Sequence, residues 1–520
     1  MDAAGVVRET EYGPFSQVAR ALEGGEVVER TEFGPNDLPE NVFRADGTLI
    51  RHMEYDVSGR ITQLMNGTGE VVSLTYDANG FMDAVTLPPF NGNPDVVDVQ
   101  FDERGQLTGV TRTYPDGVGT TGYTYDGEGR RTSIIDPRGR VMAFGYDTLG
   151  RMTSYTDKLG KTVTYTYDET GRELTRTNRN GEVLTRTYDA AGRLETMVGT
   201  GVDRTLSYDA LGRMVSGREG THVTEQDWDV RGVTDVRVYG TDSVGPQWQV
   251  VNDDAGRLVR LVGPTAAGDT AMDATHSYDG RGRLSGITET GLGTFTMGYD
   301  VAGRRSTLTR PGGVVTTTTY DDANRTLGIT TVDAVSAVLH EITTTYDERG
   351  IPATQTDQEG EHVYSHDQRG RLVGVDHPAG AEFADESYTY DQAERRTSSH
   401  RDPATEVVYD EGDRLVQDAT YTYGYDNEGR RVLRTHRVTG VQTTYRYSVL
   451  DQLMSLEEGG ERWSLVYDAR QLRVLVQQEN AGTQVFGESF VYDLNGTVRA
   501  SYEISGVRRA AYLTGFRFGV

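Results

Sequence analysis

Polar and apolar positions alternate along most of this chain, and turn-forming residues interrupt the alternation at regular intervals. Thr164-Tyr165-Thr166-Tyr167 and Tyr421-Thr422-Tyr423-Gly424-Tyr425 put tyrosines on one face and small residues on the other, which is the period of a β-strand. Each such stretch runs into Asp-x-x-Gly. Aspartate at the first position of a type I turn bonds its own backbone two residues on, and glycine at the fourth takes the left-handed conformation, so the chain reverses there. A second, looser turn is expected about ten residues later, as at Asp136-Pro137-Arg138-Gly139, Asp157-Lys158-Leu159-Gly160 and Asn178-Arg179-Asn180-Gly181. Two turns per repeat leave strands of about six residues, a common strand length. Beyond the first turn the apolar positions fall three apart, at Ile61 and Leu64, Leu107 and Val110, Leu284 and Ile287. Strict alternation gives two, and a bulge just past the turn reconciles them. Too few residues separate the turns for a helix.

The turn belongs to a longer phrase, Tyr-Asp-x-x-Gly-Arg. It stands complete at Tyr55-Asp56 with Gly59-Arg60, Tyr125-Asp126 with Gly129-Arg130, Tyr146-Asp147 with Gly150-Arg151, Tyr167-Asp168 with Gly171-Arg172, and Tyr188-Asp189 with Gly192-Arg193. It recurs at Tyr208-Asp209 with Gly212-Arg213, Tyr278-Asp279 with Gly282-Arg283, Tyr299-Asp300 with Gly303-Arg304, and Tyr425-Asp426 with Gly429-Arg430. The starts Tyr125, Tyr146, Tyr167 and Tyr188 follow one another at a constant interval, and degenerate copies fill the gaps as far as Tyr492. Such a fixed period marks a repeat array. Asn324 and Asp413 can replace the turn glycine, whereas Glu394 and Gln471 fit the left-handed conformation badly and predict altered turns.

About 21 hairpins, or roughly 42 strands, allow three architectures. Two repeats per blade would make a propeller of more blades than the usual four to eight. A right-handed parallel β-helix has coils near this length, but a tight Asp-x-x-Gly reversal suits antiparallel strands better. The expected fold is therefore all-β: tandem antiparallel hairpins in one continuous sheet that curls because strands twist. Closing such a sheet once gives a wall with a radius of about 30 Å, wider than side chains can fill.

Composition narrows the chemistry. The chain of 520 residues has 63 glycines and 30 tyrosines but no cysteine, which removes disulfides, thiolate metal sites and cysteine nucleophiles. Its formal charge of -27 repels nucleic acid and anionic lipid. Lys158 and Lys161 are the only lysines, so positive charge is almost all arginine, suited to fixed carboxylate pairs. No apolar run is long enough to span a bilayer, and Met1-Asp2-Ala3-Ala4-Gly5 does not read as a signal peptide.

The repeated Tyr-Asp-x-x-Gly-Arg phrase, followed by Leu, Met or Ile, resembles the YD-repeat or Rhs-repeat family. The resemblance implies a sheet that spirals into part or all of a hollow shell, as in Rhs polymorphic toxins, toxin-complex cocoons and teneurins. It further implies a non-enzymatic structural segment of an exported or cell-surface bacterial protein, whose partner is a C-terminal toxin or effector polypeptide carried as cargo. Residues 1–54 read as weak or partial repeats with a truncated start, 55–319 as the regular array, and 320–520 as degenerate repeats and the shell end, with no separate toxin domain. The self-cleaving family members carry a paired Asp-Pro motif after the repeats; here Asp136-Pro137 and Asp402-Pro403 sit at repeat turns instead.

Twenty copies of one carboxylate and one arginine are not a catalytic constellation. The expectation is no catalytic residue, cofactor or metal, with aspartate capping its turn and arginine pairing with an aspartate of the same or the next hairpin. His362 and His366, four apart on a strand, stand roughly 13 Å apart, too far to share a metal. Tyrosine rows read as cross-strand ladders. A cell-surface glycan or protein partner would meet the loops of the long repeats, Thr86 to Asp98, Pro264 to His276 and Thr331 to Glu341.

Overall fold

The computed structural model describes residues 8–511 apart from 13–17, 24–25, 45, 91–92, 115–116, 231, 241–246, 264–272, 392–393, 493–497 and 504–507. The first seven residues of the partial repeats, most of the long loop from Pro264, the reversal after Tyr492 and the C-terminal residues 512–520 lie outside the described residues. Among those described, every regular element is a β-strand. Each described pairing joins neighbours in sequence and runs antiparallel. The parallel β-helix is excluded.

Two compact units share the chain. The first comprises Met1–Val141, Ser277–Ile287 and Thr294–Ala404, with hairpins from Arg8–Tyr12 to Arg131–Ile135 and from Arg305–Thr309 to Arg396–Ser399. The second comprises Met142–His276, Thr288–Gly293 and Thr405–Val520. It holds hairpins from Met152–Thr156 to Leu258–Val262, and a sheet of 11 strands from Val408–Tyr409 to Arg508–Ala511. The continuity expected of the sheet holds within each run, and those 11 strands make a sheet of their own.

One repeat shows how the sequence builds the hairpin. Strand Thr162–Tyr167 pairs with Glu173–Thr177 across the turn at Asp168. Gly171 N–H donates to the Asp168 carbonyl at 3.1 Å and Asp168 N–H to the Arg172 carbonyl at 2.9 Å, with Gly171 at φ 88°. Tyr167 faces Glu173 while Thr166 faces Thr175, so Leu174 bulges out. The same slip at Tyr55 brings Ile61 opposite Tyr55 and Leu64 opposite Met53, on one face. This bulge accounts for the three-residue spacing of apolar positions.

Three expectations need correction. The second turns are as tight as the first: Gly160 N–H donates to Asp157 and Asp157 N–H to Lys161, both at 2.9 Å. The turn at Asp157 lacks the bulge, since Thr156 and Thr162 pair without slippage, while the second turns between Gly199 and Val202 and between Glu219 and His222 close on two residues. Second, Glu394 and Gln471 adopt the glycine conformation, φ 66° and 69°, with the same turn bonds. The flanking ladder and the aspartate cap therefore outweigh a left-handed penalty of about 1–2 kcal/mol. Third, the extra residues of Thr331 to Glu341 lengthen strands rather than a loop: Thr326–Val332 and Val338–Tyr346 close on a tight turn at Asp333. Strands Met82–Phe90 and Asn93–Phe101 are likewise nine residues each.

Buried apolar residues gather just beyond second turns. In the second unit Leu184, Met197 and Val202 form a cluster with Val449, and Leu194 and Leu450 pack against it. Val449 belongs to a turn from the other run of hairpins, and its N–H donates to the Thr200 carbonyl at 2.8 Å. A Cβ on Gly199 would come within 2.9 Å of Val449, so glycine there permits the approach.

Candidate functional site

The repeated hexapeptide builds one device many times. In all nine complete copies the glycine has φ between 77° and 88° and donates to its aspartate carbonyl. In all nine the arginine meets Oδ2 of the same turn's aspartate at 2.6–2.7 Å. Oδ1 of that aspartate accepts backbone N–H groups, from Leu149 and Arg151 at Asp147 and from Ala191 and Arg193 at Asp189, each at 2.9 Å. One carboxylate thus closes the turn and orients the guanidinium.

The guanidinium then reaches the next repeat. Arg151 Nη1 donates to the Asp168 carbonyl at 2.8 Å, and its guanidinium carbon lies 4.9 Å from the Tyr167 ring centre. Arg172 over Tyr188, Arg193 over Tyr208 and Arg283 over Tyr299 repeat the stacking at 4.2–4.8 Å. The tyrosine closes the circuit: Tyr167 OH donates to the Met152 carbonyl at 2.6 Å, Tyr188 OH to Glu173 and Tyr299 OH to Leu284, both at 2.7 Å. Each accepting carbonyl belongs to the residue just after the preceding arginine. Consecutive hairpins are stitched by an ion pair, a cation over a ring and a phenol hydrogen bond, where the sequence suggested only ladders and ion pairs.

Imperfect repeats keep the circuit by substitution. Trp228 Nε1 donates to the Met214 carbonyl at 2.7 Å and Asn252 Nδ2 to Val233 at 3.0 Å from the tyrosine position. Phe81 at an arginine position stacks on Phe101 at the next tyrosine position, ring centres 5.3 Å apart. In second turns Asn66 with Glu70 and Asn178 with Glu182 replace Asp-Arg, the amide donating to the carboxylate at 2.6 and 2.8 Å.

The electrostatics follow from this geometry. At Asp56, Asp189 and Asp209 the N–H of the arginine four residues on is the largest cause holding the carboxyl below its ordinary range. At Asp147 and Asp168 partial desolvation pulls upward, yet the backbone and arginine donors outweigh it and the net shift is again down. Desolvation pushes the Tyr167, Tyr208 and Tyr299 phenols up. In this geometry the aspartates serve as acceptors and the tyrosines as donors.

Turns of one run also dock on turns of the other, which no local motif foretells. In the first unit Arg44, nearly buried, donates to the Asp322 carbonyl at 2.6 Å and to Asn324 Oδ1 at 2.7 Å, while Arg325 pairs with Glu70 at 3.1 Å. In the second, Lys158 pairs with Asp413, Arg179 with Glu428 at 2.8 Å and Asn180 with Asp426 at 3.0 Å. Further along, Ala469 packs so closely that a Cβ on Gly217 would lie 2.6 Å from its own. In the polar pairs second turns of the earlier run meet Tyr-Asp turns of the later run, whereas Gly217 lies on strand Met214–Glu219.

Among the described residues no group of three or more metal-binding side chains occurs, and there is no helix long and apolar enough to cross a membrane. His362 lies against His377, across the hairpin, a neighbour the spacing of His362 and His366 does not reveal.

The teneurin YD-shell family model matches residues 41–186 and 351–494, more than half of the chain, and the RHS repeat model matches 278–315. No curated protein matches. Among solved structures, the crystal structure of TcdB2-TccC3-TEV superposes with a TM-score of 0.69 at 15% identity, over 97% of this chain and 33% of that one. TcdB2-TccC3 gives 0.64 at 14%, and a Tc holotoxin pore from Photorhabdus luminescens gives 0.66 at 13%, each over 97% of this chain and 34% of the other. The chain spans about a third of the length of those solved chains, and at this identity the likeness is one of fold.

Proposed function

The chain belongs to the teneurin YD-shell family, and from that premise we propose that it is a segment of a protein shell that encloses or displays a C-terminal effector polypeptide of a longer protein. The observation that carries this reading is the stitch. One aspartate, arginine and tyrosine circuit, repeated from Tyr55 to Tyr447, is a way to make a wall, and among the described residues no single copy stands apart as a catalytic centre would. The fold match over 97% of the chain to TcdB2-TccC3 structures supports it. On this reading the protein is not an enzyme, and it works outside the cytoplasm. The irregular repeats after Tyr320 are then the end of the wall.

Protease protection tests the proposal. In the native full-length product, the polypeptide downstream of the repeats should resist a protease that cleaves the same polypeptide made alone. Substitutions that break several stitches should remove the resistance. Equal cleavage with and without the shell would overturn enclosure. Specific binding on a glycan array, in place of protection, would shift the reading to adhesion.

A further inference from the structure

Asn-Gly stands at the third and fourth positions of two described turns, Asp77-Ala78-Asn79-Gly80 and Asn178-Arg179-Asn180-Gly181. The backbone of the two is alike. Gly80 N–H donates to the Asp77 carbonyl at 3.0 Å and Gly181 N–H to the Asn178 carbonyl at 2.9 Å, with φ 91° and 82°. Asn79 and Asn180 each give their own N–H to the first side chain of the turn, at 2.9 and 3.1 Å. Their surroundings differ. Asn79 is exposed, whereas Asn180 is half-buried against the turn 426–429 from the other run of hairpins in the second unit.

Both ends of the Asn180 amide are used there. Nδ2 donates to Asp426 Oδ2 at 3.0 Å, and Oδ1 accepts the Asn427 N–H at 3.0 Å. Beside it, Arg179 gives its backbone N–H and, at 2.8 Å, its Nη1 to Glu428, whose side chain is 4% exposed. An aspartate at position 180 would keep the bond from Asn427, but its other oxygen would face Asp426 Oδ2 with no hydrogen between them. The two cations of the contact are already committed: Arg179 also serves Asp157 at 3.0 Å, and Arg430 serves Asp426, Asp451 and Glu182 at 2.7, 3.2 and 3.5 Å.

We propose that Asn180-Gly181 is a self-modification site that docking keeps silent, and that its modification prevents redocking, so that undocking is recorded permanently in the chain. Glycine leaves the following amide nitrogen unshielded and free to turn onto the side chain. The Gly181 nitrogen gives its proton to solvent and bonds to Asn180 Cγ, and the side-chain nitrogen takes up a proton and leaves as ammonia, closing a cyclic imide. Water opens the imide to aspartate or isoaspartate. In the docked turn this attack is held back twice, because the Gly181 N–H is bound to Asn178 and the Asn180 amide is pinned by Asp426 and Asn427. At Asn79 the first restraint alone is described.

The full chain is held in mildly alkaline buffer, folded or in urea, and peptides containing Asn79 and Asn180 are followed by mass spectrometry, with enzymatic methylation to mark isoaspartate. In urea the two sites should convert at similar rates. In the folded chain Asn180 should lag Asn79 by about tenfold or more, the protection expected where a contact must open first. Glu428→Ala should remove most of that lag and leave Asn79 unchanged. Asn180→Asp should speed amide exchange at 178–181 and 426–429 by about tenfold, while Asn79→Asp leaves 77–80 as before. Asn180 converting as fast as Asn79 or faster in the folded chain, or no conversion at either, would overturn docking as the guard. Unchanged exchange with Asn180→Asp would overturn the one-way step. If the variants fail to fold, wild-type chain decides both points, through its two conversion rates and through exchange measured on the aged, converted product.

Discussion

At the scale of a residue, what matters is where a side chain finds its partner. Tyr165 and Tyr167 share a strand and a face, yet only Tyr167 has a described hydroxyl bond, to the Met152 carbonyl. Replacing each in turn with phenylalanine separates that bond from ring burial. Tyr167→Phe leaves a carbonyl without its donor and should cost about 1 kcal/mol, with Tyr165→Phe near zero. Equal shifts of the urea midpoint would mean that the stitch adds nothing beyond the ring. The tyrosine position was legible in the sequence, but its acceptor was not, because the acceptor is a backbone carbonyl 15 residues back, which no side chain announces. Glu394 teaches the converse: intrinsic backbone preference named it a misfit, and the surrounding turn bonds hold it at φ 66° all the same.

At the scale of an element, the hairpin was almost fully legible. Alternation, Asp-x-x-Gly and the three-residue apolar spacing locate strands, reversal and bulge, since each is a local steric consequence. Docking between turns was not, because Arg179 and Glu428 are 249 residues apart and each looks like an ordinary surface charge. Second turns carry a testable rule of their own: Asp136 with Arg140, at 2.5 Å, and Asn178 with Glu182, at 2.8 Å, are alternative solutions for the same two positions. Arg140→Glu alone sets two carboxylates together. Asp136→Asn alone gives up an ion pair. The double substitution recreates the natural asparagine and glutamate pair, so a double-mutant cycle should show a favourable coupling of about 0.5–1.5 kcal/mol. Strict additivity in the denaturation midpoints would show that the pairs are decoration on turns held by backbone alone.

At the scale of the whole molecule, two electrostatic effects oppose each other as pH falls. A formal charge of -27 repels itself, and protonating unpaired carboxylates relieves that repulsion. Against this, the turn aspartates, among them Asp136, Asp253, Asp279, Asp367 and Asp410, are held below their ordinary value of 3.8 in the folded chain. A carboxyl with a depressed folded value lends stability that is fully present above its unfolded value and is lost as pH falls through the folded one. Below about pH 4 the unfolded chain therefore binds more protons, and stability must rise with pH there. Range decides which effect wins. The turn pairs are in contact at 2.5–2.7 Å, whereas the general repulsion acts between charges farther apart than the screening length of about 8 Å at 0.15 M salt. At that salt the contact effect should dominate: the melting temperature should stay nearly level from about pH 7 to 5 and drop steeply between about pH 4 and 2.5. At about 0.01 M salt, where screening extends to about 30 Å, relief of repulsion offsets part of the loss and the drop should begin at lower pH. A melting temperature that rises or stays level down to about pH 2.5 in 0.15 M salt would show that the aspartates are not what holds the turns together.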